Sequence, residues 1–220
     1  PAVVFDDAEN LDHVAEHVVN AAFWNAGQNC SATSRLIVHR AVKEALMARI
    51  EARLRDWKTG DPLDPNTHIG ALIDADHCAK VRSFLDKPDK GEGPFVSPVI
   101  YHVSKDDPRA VDEIFGPVLC VIEVASNDEA VQVANQTIYG LAASVFTANT
   151  RQAIRAARDI RAGTVTVNCY GEGDIATPFG GYKQSGFGGR DNGLHAHDQF
   201  TELKTIWIDL TDPTDGDRIT

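Results

Sequence analysis

No stretch of this 220-residue sequence approaches the ~20 consecutive apolar residues of a membrane-spanning helix. No basic, apolar leader pattern opens it either. Basic residues are in deficit: 21 lysines and arginines stand against 32 acidic residues, a net charge of −11. That balance disfavours nucleic acid and anionic membranes as partners and mainly favours solubility. Cysteine is sparse. Cys30, Cys78, Cys120 and Cys169 lie far apart with no C-x-x-C pair. A chain of this size can bury a core without disulfide staples, so all four are read as free thiols in a reducing, cytoplasmic setting. Internal repeats and low-complexity tracts are lacking too. The apolar fraction of 43% and charged fraction of 24% are those of an ordinary globular protein with one large domain or two small ones.

What is present is a regular succession of elements. Pro1 runs straight into Ala2-Val-Val-Phe5, which reads as the end of a buried strand and so as part of a longer polypeptide. Leu11, Val14, Val18 and Ala22, with Ala15 and Val19 beside them, predict an amphipathic helix over about 9–25 that Gly27 ends. A strand follows at 36–39, then helices over 43–57 and 74–86 separated by the turn cluster at 60–65. Residues 87–98 read as loop. Beyond them the pattern predicts a buried strand at 118–124 and a helix to about 136, opened by the capping box Ser126-x-x-Glu129. Next come a strand at 143–146, a Thr150-capped helix to 161 and a strand at 164–168. This alternation predicts an α/β fold, a largely parallel sheet covered by helices. The glycine-rich 171–193 is long enough to read as a functional loop. Residues 200–208 alternate like a strand suited to pairing with another subunit, and an acidic tail follows.

Four patterns carry candidate chemistry. His13-Val-Ala-Glu-His17 puts two imidazoles at i, i+4, as zinc binding requires, but no downstream ligand stands out and the helix has reason enough to exist as a core element. Gly171-x-Gly173-x-x-Ala176 fits a dinucleotide fingerprint, yet Thr177-Pro178 after it cannot open the helix that would face a pyrophosphate. A Cys30/His hydrolase pair is spatial, and the sequence leaves it open. The fourth pattern is Cys30 itself, on a turn between a helix and a strand. A cysteine is commonly a small buried hydrophobe. Gln28, Asn29, Ser31, Thr33 and Ser34 around it are small and polar, and N–H groups after a helix break can stabilise a thiolate and an oxyanion. On spacing alone the two readings of Cys30 stand level.

Gly27-Gln-Asn-Cys30-Ser-Ala-Thr-Ser-Arg35 resembles the cysteine signature of the aldehyde dehydrogenase superfamily. Glu113-Ile-Phe-Gly-Pro117 resembles the family's cofactor-ribose motif, and Asn135-Gln-Thr-Ile-Tyr-Gly-Leu-Ala-Ala143 resembles its structural partner. Pro178-Phe-Gly-Gly-Tyr-Lys-Gln-Ser-Gly186 is similar to the family's substrate-side loop. The four lie in family order across nearly the whole chain. The stretches from Gly173 to Asp191 and from Leu194 to Trp207 further resemble bacterial γ-glutamyl-γ-aminobutyraldehyde dehydrogenases.

The resemblance implies NAD(P)-dependent oxidation of a small-molecule aldehyde to its acid, with NAD the expected cofactor and NADP the alternative. Cys30 would attack the carbonyl to give a thiohemiacetal, its oxyanion held by the Cys30 N–H and an asparagine from elsewhere. Hydride transfer to the nicotinamide would leave a thioester for water to hydrolyse. Glu113 would bond the nicotinamide ribose with Phe115 packed near the nicotinamide. Lys80 falls at a ribose-binding lysine and His77 beside it, though Lys80 reads equally as a solvated helix charge. Asn29, Tyr170, Glu172, Asp174 and Phe179 fall on the substrate side. Glu172 and Asp174 would favour a cationic amino-aldehyde, or would serve only as turn residues.

The same resemblance implies a catalytic domain over 1–195, an oligomerisation strand over 196–210 and an acidic tail over 211–220, in a homodimer or homotetramer. The cofactor-binding sheet, the oxyanion asparagine and the general-base glutamate would precede Pro1, and the spacing around 86–92 is shorter than the family's. A different reading is a self-associating fragment without turnover.

Overall fold

The computed structural model describes residues 1–87, 93–171 and 173–210. Among the described residues eight strands form: β1 (Ala2–Val4), β2 (Arg35–His39), β3 (Val99–His102), β4 (Val118–Val124), β5 (Tyr139–Gly140), β6 (Ala142–Phe146), β7 (Thr164–Val167) and β8 (Tyr182–Lys183). Six of them make one sheet in the order β3-β4-β2-β1-β6-β7, with every neighbouring pair parallel. β5 and β8 form a separate antiparallel pair. The helices are α1 (Leu11–Phe23), α2 (Arg40–Leu54), α3 (Ala75–Ser83), α4 (Pro108–Val111), α5 (Asn127–Ala134) and α6 (Thr150–Asp159).

The apolar runs explain the sheet. β1, β2 and β4 are buried almost throughout, as strands covered by helices on both faces must be. Phe5, Phe23, Leu36, Ile37, Leu119 and Phe146 are among the largest fully buried side chains. Helix α1 lays Val14, Ala15, Val18, Val19 and Ala22 into this core and packs along α2. The expected capping box is present at α5: Ser126 Oγ accepts from Glu129 N, and Glu129 reaches back to the Ala125 N–H at 2.8 Å.

Several expectations need correction. β3 lies in a stretch to which the sequence reading assigned no strand: it is an edge strand, only half-buried, so its side chains lack a clear one-sided pattern. Helix α2 begins at Arg40, three residues earlier than expected, because the His39 ring accepts from the Ala41 N–H. The cap of α6 is Asn149, not Thr150; its side-chain oxygen accepts from both Arg151 N and Gln152 N. The glycine-rich segment after β7 is not all loop, since it contributes β8 and an antiparallel bridge between Phe179 and Asp191. At the C-terminal end, Leu194–Phe200 is a 3-10 helix, and residues 201–210 are exposed and join no strand ladder among the described residues. The expected acidic tail at 211–220, and part of the shortened 86–92 region, lie outside the described residues.

The cap assignment carries a direct test. Asn149→Ala should destabilise the fold by about 1 kcal/mol in urea unfolding, because two helix N–H groups lose their acceptor, while Thr150→Ala should change it by only a few tenths.

Candidate active site

The turn that follows α1 is strained before it reaches the thiol. Asn25 and Ala26 hold φ of 51° and 57°, and Gly27 follows at 70°. Three consecutive left-handed residues, one of them alanine, persist only if neighbours hold them. Asn25 Nδ2 donates to Gln28 O at 2.9 Å, Gln28 N donates to Asn25 O at 3.0 Å, and Gln28 Oε1 accepts from Ile73 N at 3.0 Å. Gly27 is required for a second reason: a Cβ there would overlap the carbonyl of Gly116. The backbones before β2 and β4 therefore touch, and the parallel pairing of Arg35 with Cys120 continues the contact.

Past this turn Cys30 is exposed, its Sγ 3.8 Å from Asn29 Oδ1. No acceptor among the described residues takes its backbone N–H. Asn29 Nδ2 donates to Ser31 Oγ at 3.0 Å and to Tyr170 Oη at 2.9 Å, and Tyr170 Oη lies 3.1 Å from Ser31 Oγ. Tyr170 thus braces the turn from a segment far away in sequence.

A cleft of about 350 Å³ opens beside the thiol. Asn29, Cys30, Glu113, Phe115, Tyr139 and Ser185 are among its lining residues. Most of its walls come from the segments just before β2, β4, β6 and β7, so it sits at the amino ends of the parallel strands. Glu113 is exposed there, and no side chain among the described residues claims its carboxylate. Phe115 is half-buried with φ of 60°, and its carbonyl accepts from His77 Nε2 at 2.7 Å. His77 reaches it because α3 packs Val81 onto Gly116, where any Cβ would clash. The His77 and Phe115 rings meet edge-on at 6.2 Å.

Lys80 stays on the exposed side of α3 and does not line the cleft. Phe179 is half-buried in its bridge with Asp191, also outside the cleft. Asp174 Oδ1 accepts from Ala176 N at 2.8 Å and from Thr177 Oγ1 at 3.3 Å, a turn that closes on itself. Glu172 lies outside the described residues.

The zinc and hydrolase readings find no geometry. Among the described residues no group of three or more metal-type side chains converges. No histidine lines the cleft or hydrogen-bonds Cys30. His13 and His17 instead grip the segment that carries Tyr170: His13 Nε2 donates to Asn168 O at 3.0 Å, and His17 Nδ1 accepts from Tyr170 N at 3.1 Å. Their i, i+4 spacing was visible in the sequence; their partners, more than 150 residues on, were not. The sequence also gave no sign of the clamp behind the cleft. Arg35 donates to Val133 O and Ala134 O, and Lys183 to Asn135 O and Thr137 O, so two cations cap the carbonyl end of α5. Burial pushes the Arg35 guanidinium down to about 10, which leaves it charged at neutral pH.

Comparison with known proteins fixes the lineage. The family model described as "Aldehyde dehydrogenase family" matches residues 1–206. The chain belongs to the aldehyde dehydrogenase family. It is 57% identical over 223 aligned residues to the aminoacetaldehyde dehydrogenase of Pseudomonas aeruginosa, covering 96% of this chain and 45% of that protein. The γ-glutamyl-γ-aminobutyraldehyde dehydrogenase of Burkholderia cenocepacia shares 43% identity and superposes with a TM-score of 0.87, covering 93% of this chain and 44% of the other. An indole-3-acetaldehyde dehydrogenase solved with NAD+ shares 42% identity with a TM-score of 0.89, over 96% and 46% of the two chains. The chain spans about half the length of the relatives it matches. These superpositions bear out the expected fold class and family resemblance.

The Gly27 contact yields a prediction. Gly27→Ala should lower stability by about 3 kcal/mol in urea unfolding, because a left-handed residue gains a Cβ that strikes backbone rather than a movable side chain.

Proposed function

We propose that this chain provides the nucleophile and part of the cofactor site of an NAD-dependent aldehyde dehydrogenase acting on small, amine-derived aldehydes. The observation that carries the reading is the exposed Cys30, presented by a strained turn on a cleft that also holds Glu113 and Phe115. Relatives named for aminoacetaldehyde and γ-glutamyl-γ-aminobutyraldehyde support the substrate class.

The residues present fit the ribose–nicotinamide end of NAD. Glu113 offers an unclaimed carboxylate suited to two hydroxyl donors, and Phe115 offers an aromatic wall fixed through its carbonyl by His77. When bound, NAD supplies the hydride acceptor. Cys30 Sγ, as thiolate, adds to the aldehyde carbon, and the carbonyl electron pair moves onto oxygen. The Cys30 N–H is available to that oxyanion. Loss of hydride from the thiohemiacetal re-forms a carbonyl as a thioester, which water cleaves to the acid and free Cys30. A carboxylate to activate that water, a second oxyanion donor and the rest of the cofactor site are expected from chain preceding Pro1. Asn29 and Tyr170 hold the substrate-side wall in this reading. Asp174 is committed to its own turn, so a direct role for it in recognising a cationic aldehyde has less support than the turn role. NADP is the alternative cofactor, Lys80 the residue of least support, and the alternating, exposed 200–208 the candidate for pairing with a second copy. Four free thiols suit a cytoplasmic enzyme.

Aldehyde-dependent NADH formation by the native polypeptide, its length verified by intact mass, tests the proposal. Cys30→Ala should abolish it, a fall of at least about a thousandfold, with the fold retained by circular dichroism. Turnover that survives the substitution would remove Cys30 from the nucleophile role. If the verified polypeptide is no longer than these 220 residues, Cys30 should alkylate rapidly while NADH formation stays near background.

A further inference from the structure

His17 has no place in the chemistry above, yet it is joined to Cys30 by an unbroken series of contacts. Its Nδ1 accepts from Tyr170 N at 3.1 Å. Tyr170 Oη accepts from Asn29 Nδ2 at 2.9 Å, and Asn29 Oδ1 receives the Cys30 thiol at 3.8 Å. The neighbouring His13 ring packs edge-on against His17, centroids 4.3 Å apart, and holds Asn168 O. Asn168 is itself left-handed at φ 56°, its side chain bonded to both Thr147 N and Thr147 O. The segment is therefore pinned at Asn168 and at Tyr170, on either side of Cys169. Resting on the reading of Cys30 as nucleophile, we infer that His17 is a positioning residue: it holds Tyr170, and through Tyr170 the Asn29–Cys30 turn, where the thiol can meet substrate.

The arrangement requires one protonation state. Tyr170 N can only donate, so His17 Nδ1 must carry a lone pair and the ring must be neutral. Its surroundings keep it so. Burial pushes its pKa below the usual 6.5, and the neighbouring His13 pushes the same way, while Glu16 opposes them. Glu16 is in turn drawn toward Arg53 of α2 at 3.6 Å, and Asp12 toward Arg49 at 3.4 Å. From the sheet, Phe146 of β6 presents an uncharged ring at 6.2 Å, and Asp7 is engaged by Thr147 Oγ1 at 2.6 Å. On acidification the imidazolium loses its acceptor, Tyr170 is released, and the turn loses its brace. His17→Asn keeps a side-chain acceptor, Oδ1, at the Nδ1 position that does not titrate.

The test is the rate of Cys30 alkylation by iodoacetamide, read peptide by peptide by mass spectrometry and normalised to added N-acetylcysteine, in the native polypeptide between pH 5 and 8. His17→Ala should slow Cys30 about fivefold at pH 8, the shift one lost hydrogen bond supports, and His17→Asn should restore it. The parent-to-Asn rate ratio should stay near one above pH 7 and fall as the medium becomes more acid. Equal rates in parent and His17→Ala, or a flat ratio across pH, would overturn the inference. Should His17→Ala fail to fold, the Asn ratio alone decides. A parent Cys30 no faster than N-acetylcysteine would instead sink the nucleophile reading, and this inference with it.

Discussion

The cleft exists because two backbones touch where no side chain can come between them. Gly27 lies against the Gly116 carbonyl, and Gly116 lies against Val81 of α3. One contact sets the turn that carries Cys30 beside the turn that carries Glu113 and Phe115; the other brings α3 and His77 up to the Phe115 carbonyl. Parallel pairing of β2 with β4 fixes the register behind both. Because one glycine meets backbone and the other a buried branched side chain, the approach of the two turns has little slack.

Placing the cleft at the amino ends of the strands has an electrostatic consequence. Open parallel sheets more commonly bind ligands beyond the carboxyl ends, where helix amino termini point. Here the carbonyl end of α5 faces the same region, and it has been neutralised by Arg35 and Lys183. Without those cations, four carbonyl oxygens would present partial negative charge toward the cleft that Cys30 lines, where the proposed chemistry forms a thiolate and an oxyanion. Arg35 lies just after the Cys30 turn and Lys183 in the loop that pairs with β5, so the same clamp also ties those two segments to one helix end.

Much of the fold was legible because its central strands are wholly apolar. Residues 118–124 and 143–146 could hardly be anything but buried strands, and Ser126 and Glu129 announced their helix. The Val99–His102 strand was not legible, since an edge position leaves its residues half-exposed without alternation. The turn was legible at Gly27, where φ is positive, but not at Ala26, where an ordinary residue is forced left-handed by the bonds of Asn25 and Gln28. Cys30, Glu113 and Phe115 came to notice through local motifs, and the structure lines one cleft with them. Their supports, Tyr170 to Asn29 and Arg35 to α5, span roughly a hundred residues or more and leave no local trace.

The histidine pair shows why such supports escape a sequence reading. Two imidazoles one helical turn apart present ring nitrogens to the same side, which is the requirement for a metal and equally for gripping two peptide groups of a passing segment. What separates the cases is whether the groups opposite are lone pairs joined by a cation or backbone atoms of mixed polarity. Asn168 O accepts and Tyr170 N donates, so the two rings must take complementary roles: His13 donating, His17 accepting. A divalent ion would demand lone pairs from both. The opposed polarity of the two backbone groups thus suits a pair of imidazoles in complementary roles and, by the same requirement, makes the neutral state of His17 a condition for keeping Tyr170, and the thiol beyond it, in place.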